Sequence, residues 1–132
     1  MRKQSQNSEW ETLSIAAWKV RENAHLFGKT KVGASVMSEN DNIFTGCNIE
    51  HMFRSHDVHA EVNAISSLVS SGDRKIKRIL IVAERDFFTP CGSCMDWIMQ
   101  FAYNDTLIGF QKEKGGEIQI FTPSELMPFY PK

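Results

Sequence analysis

His59, Glu61, Cys91 and Cys94 stand in two short stretches, HAE at 59–61 and PCGSC at 90–94. Their side chains are of the kinds that ligate a metal and move a proton. Imidazole nitrogen and thiolate sulfur are favoured zinc ligands. A catalytic zinc keeps three protein ligands and leaves a fourth position for water. One histidine and two cysteines make such a set, with an expected stoichiometry of one Zn2+ per chain. The remaining cysteine, Cys47, falls in a predicted strand, and His25, His51 and His56 lie outside both stretches. A carboxylate close to a ligand but not itself ligating can take a proton from an activated water and pass it on. Glu61 fits that part. A C-x-x-C alone also occurs in redox and structural zinc sites, and a histidine opening a helix is usually just a polar residue. The two stretches together, in this order and each at a predicted helix start, point to a catalytic zinc site.

Those helix starts come from the pattern of the chain. Residues 8–27 are predicted as an amphipathic helix, with Leu13, Ala17, Val20, Ala24 and Phe27 on one face, Ser8 as N-cap and Gly28 as stop. Lys31–Ser38 alternates as a strand, SENDN at 38–42 is a turn, and Ile43–Ile49 is a second strand, so the two form a hairpin. A loop over 50–58 leads to a helix from about 59 to 70 that ends near Gly72. Ile79–Ala83 is wholly apolar, the pattern of a strand buried on both faces. Cys91–Tyr103 is predicted as a helix, Thr106–Gln111 and Glu117–Phe121 as strands, and SELMPF at 124–129 as a short helical turn. A helix N-terminus carries partial positive charge and free amides, a setting that lowers thiol pKa values. The last two strands are separated only by Lys112–Gly116. Parallel neighbours need a crossover of about a dozen residues, so this pair is expected to be antiparallel. Strands mixed with helices in this order predict an α/β layered sheet.

Composition sets the bounds. The chain has 132 residues, which predicts one domain over residues 1–132. The net charge of −1 gives no support for a large nucleic-acid footprint. The densest basic run, Arg74-Lys75-Ile76-Lys77-Arg78, reads as a solvated loop leading into a strand. The longest apolar run, ILIVA at 79–83, is far short of a membrane span, and the polar start MRKQSQNSEW has no apolar signal core. Three cysteines do not suggest a secreted disulfide framework. A cytoplasmic protein without membrane or nucleic-acid partners is expected.

H-x-E followed by P-C-x-x-C is the zinc deaminase pattern. From about residue 10 onward the sequence resembles the cytidine deaminase superfamily. KVGASV at 31–36 resembles its first strand, TGCNIE at 45–50 the nucleoside-binding strand of the free cytidine deaminases, and SELMPF their closing segment. The resemblance implies a three-layer α/β/α fold with a mixed five-stranded sheet whose last two strands are antiparallel. It implies zinc on His59, Cys91 and Cys94, Glu61 as proton shuttle, and Asn48 and Glu50 as hydrogen-bond partners of sugar hydroxyls. The main chain around Ala60, Thr89 and Cys91 would hold the pyrimidine edge and leaving amino group. A homotetramer is implied, with Phe129 reaching a neighbour's pocket, as is a place in pyrimidine salvage.

HAEVNAI at 59–65 is closer to the deoxycytidylate and nucleic-acid deaminase branches, whereas the final hairpin is closer to the free-nucleoside and blasticidin S deaminase branch. Three departures, at four positions, separate the chain from the free cytidine deaminases. His59 replaces a cysteine and Val62 an arginine; Thr30 replaces a phenylalanine at the sugar pocket; Met95 replaces an arginine after the second zinc cysteine. The first pair is coherent, because a neutral imidazole in place of a thiolate leaves less negative charge for an arginine to offset. The reading is hydrolytic deamination of a cytidine-type nucleoside: cytidine, deoxycytidine or a modified cytidine. The alternatives are a blasticidin S or related antibiotic deaminase, and a non-catalytic zinc-binding protein of the same fold.

Overall fold

The computed structural model describes residues 8–86 and 88–131. The polar segment 1–7 lies outside the described residues. Helix α1 (Ser8–Arg21) is followed by strands β1 (Gly33–Ser38) and β2 (Ile43–Cys47), a 3-10 turn at Arg54–His56, and helix α2 (Ala60–Ser71). Strand β3 (Ile76–Val82), helix α3 (Gly92–Phe101), strands β4 (Ala102–Gln111) and β5 (Gln119–Phe121) and the short α4 (Pro123–Leu126) complete the order.

The five strands form one sheet in the order β2-β1-β3-β4-β5. The β3–β4 pair is parallel, crossing over through α3, and the other three pairs are antiparallel. The mixed five-stranded sheet and antiparallel final hairpin expected from the sequence are both present. Alternation along the strands builds two cores. Ala34, Val36, Ile79, Ile81 and Ile108 face Ala64, Ile65, Leu68 and Ile98 of α2 and α3. Met37, Leu80, Val82 and Ile120 face Trp10, Leu13 and Ala17 of α1. The sheet is therefore covered on both sides, giving the three α/β/α layers, and the wholly apolar run at 79–83 is its buried centre.

Most element boundaries shift by a few residues from the sequence reading, and three of the differences bear on the packing. Helix α1 ends at Arg21, not at residue 27. The chain turns there because His25 joins the end of the β2 segment: its N–H donates to Asn48 O at 3.1 Å and its carbonyl accepts from Glu50 N at 2.7 Å. Phe27 is consequently 57% exposed, not on a buried face. Of the run Arg74–Arg78, Arg74 and Lys75 are exposed loop as expected, but the strand begins earlier than predicted, at Ile76. Ile76 is fully buried and opens β3, and Lys77 and Arg78 pair with Glu9 at 3.0 and 2.7 Å, with Lys77 also 2.8 Å from Asp41. Helix α3 stops at Phe101, and β4 starts at once, because Ala102 turns extended and pairs with Ile76. At the other end of that pair, Thr106 Oγ1 donates to Ile76 O at 2.6 Å.

Candidate active site

Helices α2 and α3 point their N-termini at one place. His59 is the N-cap of α2 and Cys91 the N-cap of α3. The two residues therefore precede the first helical turns instead of lying inside them. His59 makes no side-chain cap hydrogen bond; its ring turns toward the sulfurs. Nδ1 lies 3.2 Å from Cys94 Sγ and 3.5 Å from Cys91 Sγ, and the three donor atoms all lie within 4.8 Å of one another. Cys91 Sγ also accepts the N–H of Cys94 at 3.4 Å. Tetrahedral zinc bonds of roughly 2.1–2.3 Å place ligand atoms about 3.5–3.8 Å apart, so this donor set fits zinc in both chemistry and spacing. Among the described residues, Glu61 is not part of the cluster, which leaves three protein ligands and one open position.

Glu61 sits one residue into α2 and is only 4% exposed. Burial pushes its carboxyl above the usual carboxylate range, against the opposing pull of its own amide, His59 and Cys94. Burial, with the nearby Glu61 and Cys91, pushes the Cys94 thiol up strongly; a bound cation would act in the opposite direction and favour the thiolate.

His59, Glu61 and Cys91 line a cavity of about 260 Å³ together with Thr30, Asn48, Glu50, Ala60 and Thr89, while Cys94 is buried next to it with its Sγ 3.2 Å from His59 Nδ1. Asn48 is tied into the wall: Oδ1 accepts from Val32 N and Nδ2 donates to Thr30 O, each at 2.9 Å. One amide N–H and one lone pair remain for a ligand. Glu50 is held by the backbone of Phe27 and Gly28, at 2.7 and 2.6 Å, which keeps its carboxyl below the usual range. The structure thus brings together every site residue expected from the sequence except Phe129. That residue is 94% exposed and does not line its own chain's cavity, while its neighbour Tyr130 donates to Asp96 of α3.

Sequence reasoning missed Arg54, Asp57, Arg85 and Phe88, which also line the cavity. A signal for two of them existed: Glu50, Arg54 and Asp57 are spaced four and three apart, and Arg54 forms ion pairs with both acids. Arg85 and Phe88 come from an irregular loop, and their guanidinium–ring stacking at 5.4 Å has no spacing rule to reveal it.

Residues 7–110 match the family described as the cytidine and deoxycytidylate deaminase zinc-binding region. A cytidine deaminase of Sporosarcina psychrophila is 33% identical over 120 residues, covering 89% of this chain and 88% of that protein. One from Halalkalibacterium halodurans is 30% identical, covering 89% and 90%. Among solved structures, a cytidine deaminase from Burkholderia pseudomallei aligns with a TM-score of 0.80 at 24% identity, over 90% of this chain and 96% of that one. The Mycobacterium leprae cytidine deaminase aligns at 0.77 and 25% identity, over 90% and 97%. With the zinc-competent His/Cys/Cys cluster inside the matched region, these likenesses leave one family assignment: the chain belongs to the cytidine and deoxycytidylate deaminase family.

Proposed function

We propose that this chain is a zinc-dependent hydrolase that converts a cytidine-type nucleoside and water to the uridine-type nucleoside and ammonia. The observation that carries the reading is Glu61, a buried carboxyl sharing one cavity with His59 and Cys91 of the three-donor cluster and with the polar pair Asn48 and Glu50. His59, Cys91 and Cys94 would hold the ion. Zinc, when bound there, supplies a Lewis acid that lowers the pKa of a water in its open position. Glu61 takes one proton of the attacking water and gives it to ring N3; it then takes the proton of the new C4 hydroxyl and gives it to the amino group, which leaves as ammonia as the C4 carbonyl forms. Burial favours the protonated form of this carboxyl, which suits a group that must both take and give a proton. The backbone of Ala60, Thr89 and Cys91 aligns the base edge, and the first turns of α2 and α3 offer free amides toward developing negative charge. Asn48 and Glu50 bind sugar hydroxyls.

The full assembly in this reading is a cytoplasmic homotetramer acting in pyrimidine salvage, each chain a single catalytic domain. Support comes from Phe129, an almost wholly exposed apolar side chain available to a neighbour's pocket. No helix among the described residues is long and apolar enough to cross a membrane. The test is ammonia release from cytidine, deoxycytidine, substituted cytidines and blasticidin S side by side. Turnover of a simple cytidine supports the reading. Turnover of blasticidin S alone moves the protein to the antibiotic deaminases, and no turnover by zinc-loaded protein removes the catalytic reading.

A further inference from the structure

Glu50 meets the cavity with its two oxygens in different states. Oε1 accepts two backbone N–H groups, from Phe27 and Gly28, which fills its lone pairs. Oε2 accepts no hydrogen bond among the described residues and lies 3.3 Å from the Arg54 guanidinium. Arg54 is held on another edge by Asp57: Nε donates to Oδ2 at 2.8 Å, and Asp57 Oδ1 accepts the N–H of His51 at 2.7 Å. The Glu50 and Asp57 side chains are mostly covered, at 13% and 15% exposed, whereas Arg54 is at 57%. Two covered carboxylates on one cavity wall repel each other unless a cation stands between them. Ion pairs with a partner this exposed add little to global stability. The consequence of the bridge is therefore local.

We propose that Arg54 is a positioning residue for sugar recognition: braced by Asp57, it fixes Oε2 of Glu50 as the single oxygen left to accept from a sugar hydroxyl. The inference rests on the reading of Glu50 as a sugar contact, and its ligand class is a nucleoside with a free 2′ or 3′ hydroxyl. The planar guanidinium can present separate N–H groups to two carboxylates, where a lysine ammonium is a point charge on a flexible stem. The braced segment ends at Asp57, two residues before His59, so the same bridge shapes the approach to the zinc ligand.

The test is steady-state kinetics of the zinc-loaded protein on cytidine and 2′,3′-dideoxycytidine, with Arg54→Ala, Glu50→Gln and the double variant. Arg54→Ala should raise KM for cytidine about tenfold while kcat moves only a few-fold, the scale of a weakened charged hydrogen bond. KM for the dideoxy compound should change less than about twofold, because the affected group is absent. In the Glu50→Gln background, Arg54→Ala should add less than about twofold, since coupled residues are not additive. An equal KM rise on both substrates, or full additivity in the double variant, overturns the positioning role. If Glu50→Gln itself fails to distinguish the substrates, the sugar reading falls and the proposal with it. If Glu50→Gln distinguishes them and Arg54→Ala does not, only the role of Arg54 falls. Should Arg54→Ala not fold, Arg54→Lys carries the test: an intermediate KM for cytidine supports the bridge, and a wild-type KM overturns it.

Discussion

Burial is what separates Glu61 from an ordinary helix glutamate. A carboxyl 4% exposed beside zinc-type donors is costly to keep unless it does chemistry. Replacing it with glutamine keeps the shape and removes the exchangeable acid. Turnover of Glu61→Gln should fall by at least about a hundredfold, while metal analysis still finds one zinc per chain. Loss of zinc in that variant would show instead that Glu61 is a ligand. Cys94→Ser should behave oppositely, losing zinc and activity together, because the donor set then has only two strong members. The residues of the candidate site were legible in the sequence, since His59, Glu61, Cys91 and Cys94 are short-range motifs whose spacing is set by helix starts. The depth of Cys94 was not, because its near-complete burial depends on how the helices pack on the sheet.

At the scale of elements, the site depends on how α2 lies on the sheet. Gly46 of β2 faces that helix: a Cβ there would stand 2.4 Å from Ala64 N and 2.7 Å from Ala60 O. Asn63 Oδ1 also accepts the N–H of Cys47 at 3.0 Å, locking strand to helix. Gly46→Ala should destabilise the fold by about 1–3 kcal/mol in chemical denaturation and weaken zinc binding, since His59 rides on the displaced helix. A second fastening is Asp73, after α2, whose carboxylate accepts from Ser38, Asn40 and Asn42 around the β1–β2 turn. Those bonds hold its carboxyl below the usual range. A lowered folded pKa means stability that is present above the unfolded value of about 3.9 and is lost as pH falls through the lower folded value. Asp73→Asn should therefore melt below the wild type at neutral pH, and the gap should narrow as the pH falls below about 4. A gap that is unchanged in acid would contradict the fastening. Strand and helix identities followed from periodicity, but the end of α1 did not. The backbone of His25 leaves the helix to pair beside Ile49, a long-range contact that the apolar spacing of residues 20–27 conceals.

The whole molecule carries 15 basic and 16 acidic residues. Part of its basic charge is already matched: Arg21 pairs with Glu22 and Glu84, Arg54 with Glu50 and Asp57, and Lys77 and Arg78 with Glu9. Polynucleotide binding draws on phosphate neutralisation and weakens steeply with salt, whereas a small neutral nucleoside gains little from such a field. The measurement that tests the account most directly compares ammonia release by the zinc-loaded protein from cytidine and from single-stranded DNA and RNA, at matched cytosine concentration and at low and moderate salt. The account predicts faster release from the nucleoside, changing little with salt. Faster release from the polynucleotides, falling steeply as salt rises, would contradict it and make the cavity a site for a base within a strand.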